Sequence, residues 1–248
     1  MSEKKLCGKL PRECFGMLEV PRYPREIIDA FMALEDMSGA VSDALDEHGI
    51  EGCVPGSTLP VTLRHARICG PALTLRNVPQ RNQPFKDALE RVSKMAEIEA
   101  HNLAQRGDVL VLQGVDKVSN MGGISASIAH RQGVIGAIVD GGIRDVSQTR
   151  DIAFPVWSRG PCSITGKWRL QTVAVNQTVS IDGVQCAPGD LVIADEGGVC
   201  FVPRNLVPSV LKRAQEIIAG EARRYADIRD GMSVPELANK THVFKFGS

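Results

Sequence analysis

The sequence lacks several features that would assign it to a specialised class of protein. Its 29 Lys and Arg residues balance 29 Asp and Glu residues, so no overall charge favours nucleic acid or an acidic membrane as a partner. No apolar run approaches the ~20 residues that span a bilayer, and the N-terminal residues MSEKKLCGKLPREC contain no signal-peptide hydrophobic region. We therefore expect a cytoplasmic protein that binds neither nucleic acid nor membrane.

Cysteine is present, but not in the arrangements that build a disulfide framework or a zinc site. The seven cysteines are odd in number and scattered, with no Cys-x-x-Cys pair. Cys69 and Cys200 lie within apolar runs typical of strands, where a thiol serves as a small core residue. The fold must therefore depend on an apolar core, for which 248 residues with 43% hydrophobic content suffice.

Proline marks the beginning of the chain as non-regular structure. The first 25 residues have no sustained apolar period and contain three prolines, Pro11, Pro21 and Pro24. Because proline disfavours helix at the residue before it, we predict an extended N-terminal arm over residues 1–25. This arm would lie over the body of the protein or over a neighbouring subunit. A single domain is expected over residues 26–235, followed by a C-terminal tail over residues 236–248.

Hydrophobic periodicity predicts four main helices in addition to one in the central stretch described below. They begin at Arg25, at Gly39, at Phe85 and at about Asn205. The third is predicted as one long helix over residues 85–104, and His101 near its end is expected to be a partly exposed helix residue rather than a catalytic base. The buried face of the terminal helix is predicted to comprise Val207, Val210, Leu211, Ala214, Ile217, Ile218 and Ala222.

Short apolar runs between turn residues predict a strand-rich second half. The predicted strands cover residues 72–75, 108–112, 134–139, 152–157, 172–181, 184–186, 191–194 and 199–202. Asp182 and Gly183 are predicted to form a hairpin turn. Helices mixed with strands in this order indicate an α/β fold without specifying its layers.

The stretch from Gly107 to Asp151 contains the residues most suited to chemistry. Gly122 and Gly123 open a short helix, whose free N–H groups would attract a carboxylate and whose glycines allow a ligand to approach the backbone. Arg144 and Asp145 follow a buried strand and two glycines. Arginine offers a planar fork to a carboxylate or an enolate oxygen, whereas aspartate is a hard ligand suited to magnesium or manganese.

These same residues also fit a role without chemistry. Two glycines after a strand are common turn residues, and an adjacent arginine and aspartate on a loop often form a solvated surface pair. Spacing alone therefore leaves both interpretations open.

Several ordered motifs in this region resemble a known family. The run GVIGAIVDGGIRDV, with GDVLVLQG before it and FPVWSRG and APGDLVIADEGGVCFVP after it, is similar to the 4-hydroxy-4-methyl-2-oxoglutarate aldolases and the regulator of ribonuclease activity A. Upstream, SDALD at residues 42–46 and CGPA at residues 69–72 also match, so the resemblance covers roughly residues 30–235.

The resemblance implies a fold and an activity. The fold would be the swivelling β/β/α three-layer sandwich of RraA-like proteins, as a single domain with helical N-terminal and C-terminal extensions. The activity would be that of a divalent-metal-dependent lyase, an aldolase or oxaloacetate decarboxylase that cleaves a C–C bond of a 2-oxo acid through a metal-stabilised pyruvate enolate. The enzyme would be a homotrimer or a dimer of trimers.

The resemblance also implies site residues. Asp145 would bind Mg²⁺ or Mn²⁺, and Arg144 would hold the 2-oxo acid and its enolate. The pyruvyl carboxylate would bind the backbone at the helix start, which comprises Gly122, Gly123, Ile124 and Ser125.

One position departs from the family pattern, because family aldolases carry an acidic residue where this chain has Gly123. Loss of such an outer carboxylate can lower metal affinity or activity by ~10- to 100-fold. Asp116, or a carboxylate from another subunit, could replace it. Glu221 corresponds to a family glutamate that reaches the metal of a neighbouring subunit.

Two alternative functions stay open. One is a non-catalytic regulator that binds a ribonuclease through an exposed surface. The other is a related lyase or hydrolase for a different small acidic substrate, since Gly123 could shift the substrate or the reaction.

Overall fold

A computed structural model describes residues 5–81 and 83–240 of the chain. Its strands are β1 (Cys53–Pro55), β2 (Ile68–Pro79), β3 (Val109–Gln113), β4 (Ser119–Met121), β5 (Gly136–Ile143), β6 (Val156–Pro161), β7 (Leu170–Val175), β8 (Val179–Ile181), β9 (Val184–Cys186), β10 (Leu191–Ala194) and β11 (Gly198–Val202). Its helices are α1 (Arg25–Met32), α2 (Met37–Glu47), α3 (Pro84–Glu90), α4 (Glu97–Leu103), α5 (Gly123–Arg131), α6 (Val146–Asp151), α7 (Val207–Arg229) and α8 (Val234–Asn239). No helix within the described ranges is long and apolar enough to cross a bilayer.

The long strand β2 joins two halves of one sheet. Its first residues pair antiparallel with β10, which continues through β11 to β1. Its later residues pair in parallel with β3, followed by β5, and antiparallel with β7. Strands β4 and β6 both pair in parallel with β5. Strands β8 and β9 form a separate hairpin, whose turn at Asp182 and Gly183 has positive φ angles, as the sequence predicts.

Three buried apolar clusters define the layers. One cluster lies between the two sheet halves and includes Trp157 and Phe201. A second covers the outer face of the β3–β5 half with residues of α4, α5 and the arm, among them Phe15. In the third, α1, α2 and α7 pack on β10 and β11. The first two clusters give a β/β/α order, and the helices at either end of the chain cover the remaining sheet face.

The predicted long helix over residues 85–104 is wrong, because the chain forms α3 and α4 with an irregular segment between them. Arg91 adopts a left-handed φ of 56°, which ends α3. The segment then follows the edge of β7, where Thr172 donates its backbone N–H to Lys94 O at 3.0 Å and its hydroxyl accepts the Ala96 N–H at 2.8 Å. An open strand edge satisfies backbone groups that a helix would pair internally, so tertiary contacts override the periodic pattern.

Two predicted strands also differ in the structure. Residues 152–155 do not extend β6, since α6 ends at Asp151 and the chain turns through Ala153, which has a φ of 52°. The predicted strand over residues 172–181 divides into β7 and β8 at Asn176. This buried side chain accepts from Thr74 N and donates to Met17 O, so it fixes a bend that strand periodicity does not reveal.

The segment before α1 packs on its own chain in the residues described. The buried Phe15 forms a bridge to Val175 of β7, and the carboxylate of Glu99 accepts the backbone N–H groups of Cys7 and Lys9 at 2.8 and 2.6 Å. Arg22 pairs with the buried Asp108. The predicted arm continues into residues 1–4, and the predicted tail into residues 241–248, both outside the described residues.

The terminal helix α7 extends beyond the helix that covers it. Its 23 residues span about 34 Å, whereas the 11 residues of its partner α2 span about 16 Å. The predicted buried face is therefore correct from Val207 to Ile217, but Ala222 is exposed. Tyr225 and Ile228 farther along the helix are also exposed apolar residues.

Candidate active site

The candidate site lies where the parallel strands β4 and β5 end next to each other. Met121 at the end of β4 is in register with Ile143 at the end of β5. Helix α5 begins just after β4, and Arg144 and Asp145 follow β5 directly. Because the carboxyl ends of neighbouring parallel strands share one edge of the sheet, two segments about 20 residues apart in sequence meet there.

Arg144 and Asp145 are held by hydrogen bonds to the segment at β4 and α5. The backbone N–H of Arg144 donates to Met121 O at 3.0 Å. Asp145 has a left-handed φ of 58° and accepts the Gly123 N–H through Oδ2 at 3.0 Å. The Nε atom of Arg144 lies 3.7 Å from that same oxygen. Both side chains are partly exposed, at 35% and 48%, so they stay accessible to a ligand.

The first turn of α5 presents backbone N–H groups to the site. Gly122 precedes the helix and provides no side-chain cap, and the first helical N–H bond is that of Ala126 to Gly122 O. Gly123 N–H donates to Asp145. The N–H groups of Ile124 and Ser125 therefore remain to receive an anion, because the first turn of a helix has no internal acceptors for them.

These groups line one cavity of about 290 Å³. Its wall combines the helix start (Gly122, Ile124 and Ser125) with Arg144 and Asp145. A second wall comes from α4 and from the loop between β6 and β7. That wall contributes Met95, Glu97, Ile98, His101, Thr165, Gly166 and Lys167.

His101 is fully buried in this second wall, contrary to the predicted partial exposure. Its Nε2 atom lies 2.8 Å from the Ser125 hydroxyl oxygen, and its Nδ1 atom has no hydrogen-bond partner among the described residues. Burial disfavours the charged imidazolium and lowers the pKa of His101 to about 4. The neutral ring thus positions the Ser125 side chain beside the N–H groups of the helix start.

Glu97 and Lys167 give the second wall a carboxylate and a cation. The half-buried Glu97 is one helical turn from His101, so both project from the same face of α4. Burial raises the pKa of Glu97, and the positive charge of Lys167 only partly opposes this shift. Glu97 is consequently a stronger proton acceptor than an ordinary glutamate.

The structure separates the remaining predicted site residues from this cavity. Gly123 lines an adjoining cavity with Gln148, whose Cγ would lie 2.8 Å from a Cβ atom added to Gly123. Asp116 is exposed on the loop after β3. Glu221 lies on α7 near α2, where burial and the charges of Asp36 and Asp43 raise its pKa. Within one chain, therefore, neither Asp116 nor Glu221 lines the Arg144–Asp145 cavity.

Glu97, His101 and Lys167 are not among the site residues that the sequence predicts. The four-residue spacing of Glu97 and His101 was a usable signal, since it places a carboxylate and an imidazole on one helix face. Lys167 lies in a loop rich in glycine, proline and serine, and no sequence pattern there connects it with the site. Its approach to Glu97 depends on the three-dimensional fold.

The family model for RraA-like proteins, described as aldolase/RraA, matches residues 38–201. This chain belongs to the RraA-like family. The matched range contains the helix start, Arg144 and Asp145, and also the newly found Glu97 and His101. Glu221 lies outside it.

Individual relatives agree with this membership. A Halalkalibacterium halodurans protein named as a candidate 4-hydroxy-4-methyl-2-oxoglutarate aldolase is 28% identical, over 77% of this RraA-like chain and 84% of its own. Protein DlpA of Legionella pneumophila is also 28% identical over 80% of this chain, which spans only 31% of DlpA. Streptomyces coelicolor RraAS2, described as an unusual member of the RNase ES inhibitor RraA protein family, superimposes with a TM-score of 0.67. It is 26% identical, with coverage of 85% of this chain and 98% of its own.

The predicted RraA-like α/β fold in a single domain is thereby confirmed.

Proposed function

We propose that this RraA-like protein is a divalent-metal-dependent lyase that cleaves a C–C bond of a small 2-oxo acid. The observation that carries this proposal is the meeting of three groups in one cavity: the α5 start, Arg144 and Asp145. Together they offer anion-binding N–H groups, a permanent cation and a metal-binding carboxylate. These are the groups that a 2-oxo carboxylate and its enolate require.

The substrate carboxylate would bind at the start of α5. The N–H groups of Ile124 and Ser125 point to this end of the helix, where the helix dipole also favours negative charge. His101 accepts or donates a hydrogen bond with the Ser125 hydroxyl at 2.8 Å and so fixes its rotamer. The carboxylate would thus be held by an array that is ordered before the substrate arrives.

Arg144 would stabilise the charge that develops during bond cleavage. Its backbone N–H is bonded to β4, and its Nε lies 3.7 Å from Asp145 Oδ2, so its two terminal nitrogens would be available to a ligand in the cavity. When the bond between carbon 3 and carbon 4 of the 2-oxo acid breaks, its electrons form an enolate and negative charge moves onto the oxo oxygen. A fixed guanidinium beside that oxygen stabilises the enolate more than it stabilises the substrate.

The donor set fits Mg²⁺ or Mn²⁺ better than a metal that needs several protein ligands. The described residues contain no group of three His, Cys, Asp or Glu side chains that could hold an ion. Asp145 uses Oδ2 for Gly123, which leaves Oδ1 for a cation. One or two carboxylates with waters and substrate oxygens suffice for Mg²⁺. When bound, such an ion supplies Lewis-acid polarisation of the 2-oxo group.

Glu97 would move the proton on the other side of the cavity. Glu97 lines the cavity, and its raised pKa makes it a better proton acceptor than an ordinary glutamate. It would therefore take a proton from a 4-hydroxyl group and return one to the enolate carbon. Glu97 also offers a second carboxylate in the cavity, in place of the acidic residue that family aldolases have at the position of Gly123. Lys167 nearby would attract a second negative group of the substrate.

We further propose that the chain assembles as a homotrimer or a dimer of trimers. Exposed apolar residues occur at the cavity mouth, where Ile124 is 78% exposed, and on the terminal helices, at Tyr225 and Val234. Scattered exposed apolar residues are ordinary, but Tyr225 and Ile228, three residues apart on α7, share one face of that helix and would favour association. In such an assembly Glu221 would be free to approach the metal of a neighbouring subunit.

Release of pyruvate from oxaloacetate and from 4-hydroxy-4-methyl-2-oxoglutarate tests the proposed activity. Turnover should require added Mg²⁺ or Mn²⁺ and stop with a chelator. Asp145→Ala should abolish it and remove Mn²⁺ binding measured by calorimetry. Thermal unfolding is measured in parallel, because the variant also loses the acceptor of the Gly123 N–H. Chelator-resistant turnover, or Mn²⁺ binding unchanged in Asp145→Ala, would contradict the metal-dependent mechanism.

A second candidate function is regulation of a ribonuclease, which the similarity to RraAS2 favours. A regulator of this kind would act through its surface, so neither Arg144 nor Asp145 would be needed. Inhibition of a ribonuclease that persists in Asp145→Ala, together with absent turnover of both oxo acids, would support regulation over catalysis.

A further inference from the structure

Two cysteines on neighbouring strands face each other outside the Arg144–Asp145 cavity. Cys53 of β1 is directly opposite Cys200 of β11 in an antiparallel pair. Their Sγ atoms are 2.9 Å apart. Opposed residues of antiparallel strands have Cα atoms about 4.5–5.5 Å apart, inside the range of about 4.4–6.8 Å that disulfides use. Small side-chain rotations would therefore suffice to join the two sulfur atoms.

Both thiols open onto one cavity. Both cysteines line a cavity of 390 Å³, together with Asp36, Ser38 and Ser42. Cys53 is half-buried and Cys200 is buried, with its sulfur near Ser38 O at 3.5 Å. Cys53 is the more exposed of the two thiols, so a small neutral oxidant in the cavity reaches Cys53 more readily than Cys200.

The surroundings assign different roles to the two thiols. Hydrogen bonds from Cys200 and Ser42 stabilise the Cys53 thiolate and lower the pKa of Cys53 despite its burial. The same contact and burial raise the pKa of Cys200 well above its usual value. Cys53 is also the less buried of the two thiols, and the thiolate is the nucleophilic form of cysteine, so Cys53 is the sulfur that reacts first. Cys200 retains its proton and lies within bonding reach.

We propose that Cys53 and Cys200 form a site of reversible oxidation, at which a peroxide converts the two thiols to a disulfide. The Cys53 thiolate attacks one oxygen of hydrogen peroxide, the O–O bond breaks, and Cys53 sulfenic acid and hydroxide form. The sulfur of Cys200 then attacks the Cys53 sulfur, loses its proton and displaces the hydroxyl group as water. Overall, the thiols lose two electrons and two protons, and hydrogen peroxide becomes two waters.

The disulfide would connect distant parts of the chain. It links positions whose numbers differ by 147 (200 minus 53), and the loop so closed contains the whole of the β3–β5 half of the sheet. Cross-links that close long loops reduce the freedom of the unfolded chain most. The oxidised protein should therefore unfold at a temperature about 5 °C or more above that of the reduced protein.

Peptide mapping of the full-length chain tests the site. Reduced protein, freed of reductant, is treated with a small excess of hydrogen peroxide, unfolded in guanidinium with an alkylating reagent, and digested without reduction. We expect one cross-linked pair of peptides containing Cys53 and Cys200, with five of the seven cysteines alkylated. A dithiol reductant should restore all seven thiols and remove the shift in unfolding temperature.

The matched variants are Cys53→Ser, Cys200→Ser and Cys162→Ser. The first two should lose the cross-link and the peroxide-dependent shift, whereas Cys162→Ser, at another half-buried thiol, should retain both. Full alkylation of Cys53 and Cys200 after peroxide treatment would overturn the proposal. A Cys53 that stops at sulfinic acid, or other cysteine pairs linked in equal yield, would overturn it as well. The peptide map of the parent protein shows whether Cys53 and Cys200 become cross-linked, even if a variant fails to fold.

Discussion

The buried imidazole of His101 should make the stability of this protein depend on pH in a defined window. The side chain is fully buried, and burial lowers its pKa to about 4 from the usual value of about 6.5. At a pH below 6.5 the unfolded chain takes up a proton at this position while the folded protein does not. Proton uptake by the unfolded state favours unfolding, so this contribution to stability is complete above 6.5 and is lost as the pH falls towards 4.

The size of the effect follows from the difference between the two pKa values. Between about pH 7 and about pH 5, His101 alone should reduce the free energy of unfolding by about 2 kcal/mol, and the loss should approach about 3 kcal/mol below about pH 4. Glu97, whose pKa is raised, acts in the opposite direction over part of this window. The contribution of His101 is therefore isolated by comparing variants at each pH.

Urea unfolding of the parent protein, His101→Gln and His48→Gln provides the assay. Glutamine keeps a group able to hydrogen-bond with Ser125 but does not titrate, so His101→Gln should lose about 2 kcal/mol less than the parent between about pH 7 and about pH 5. His48 is exposed, and the free energy of unfolding of His48→Gln should change with pH as that of the parent does. Parallel losses in the parent and His101→Gln would refute the reasoning, because they would show that His101 takes up its proton equally in both states.

Three further predictions address the proposed catalytic site and assembly. Arg144→Lys keeps the charge but loses the planar fork, so kcat for oxaloacetate should fall by ~10²-fold or more, whereas a few-fold change would assign Arg144 only a bracing role. Gly123→Ala should destabilise the protein by about 1–3 kcal/mol in urea unfolding, because the new Cβ would lie 2.8 Å from Gln148 Cγ. Gln148→Ala in the same chain should recover only part of this loss, since the Cβ atoms of residues 148 and 145 stay 3.0 and 3.1 Å from the new Cβ; strictly additive losses would contradict the Cγ contact. Light scattering at micromolar concentration should show a trimer or hexamer, and a strictly monomeric protein would count against any role of Glu221 at a neighbouring metal.

The sequence alone determined the elements whose causes are local. Apolar runs between glycines identified β3, β5, β10 and β11, because a strand covered on both faces needs little more than continuous apolar side chains. Gly122 and Gly123 identified the start of α5. Gly133 identified its end, since its positive φ is a conformation that favours glycine. Arg144 and Asp145 were connected with this helix start only by the family resemblance, because β4, whose end places the two segments together, is not among the strands that the sequence predicts.

Only the tertiary structure decided which distant residues share a site. Glu97 and His101 reach the cavity because the open edge of β7 takes up residues 94–96 and so divides the predicted long helix. Cys53 and Cys200 meet through strand register, which depends on the packing of both sheet faces. Periodicity reports which face of an element is buried, but the partner of that face is fixed by long-range hydrogen bonds and packing that no short window of sequence contains.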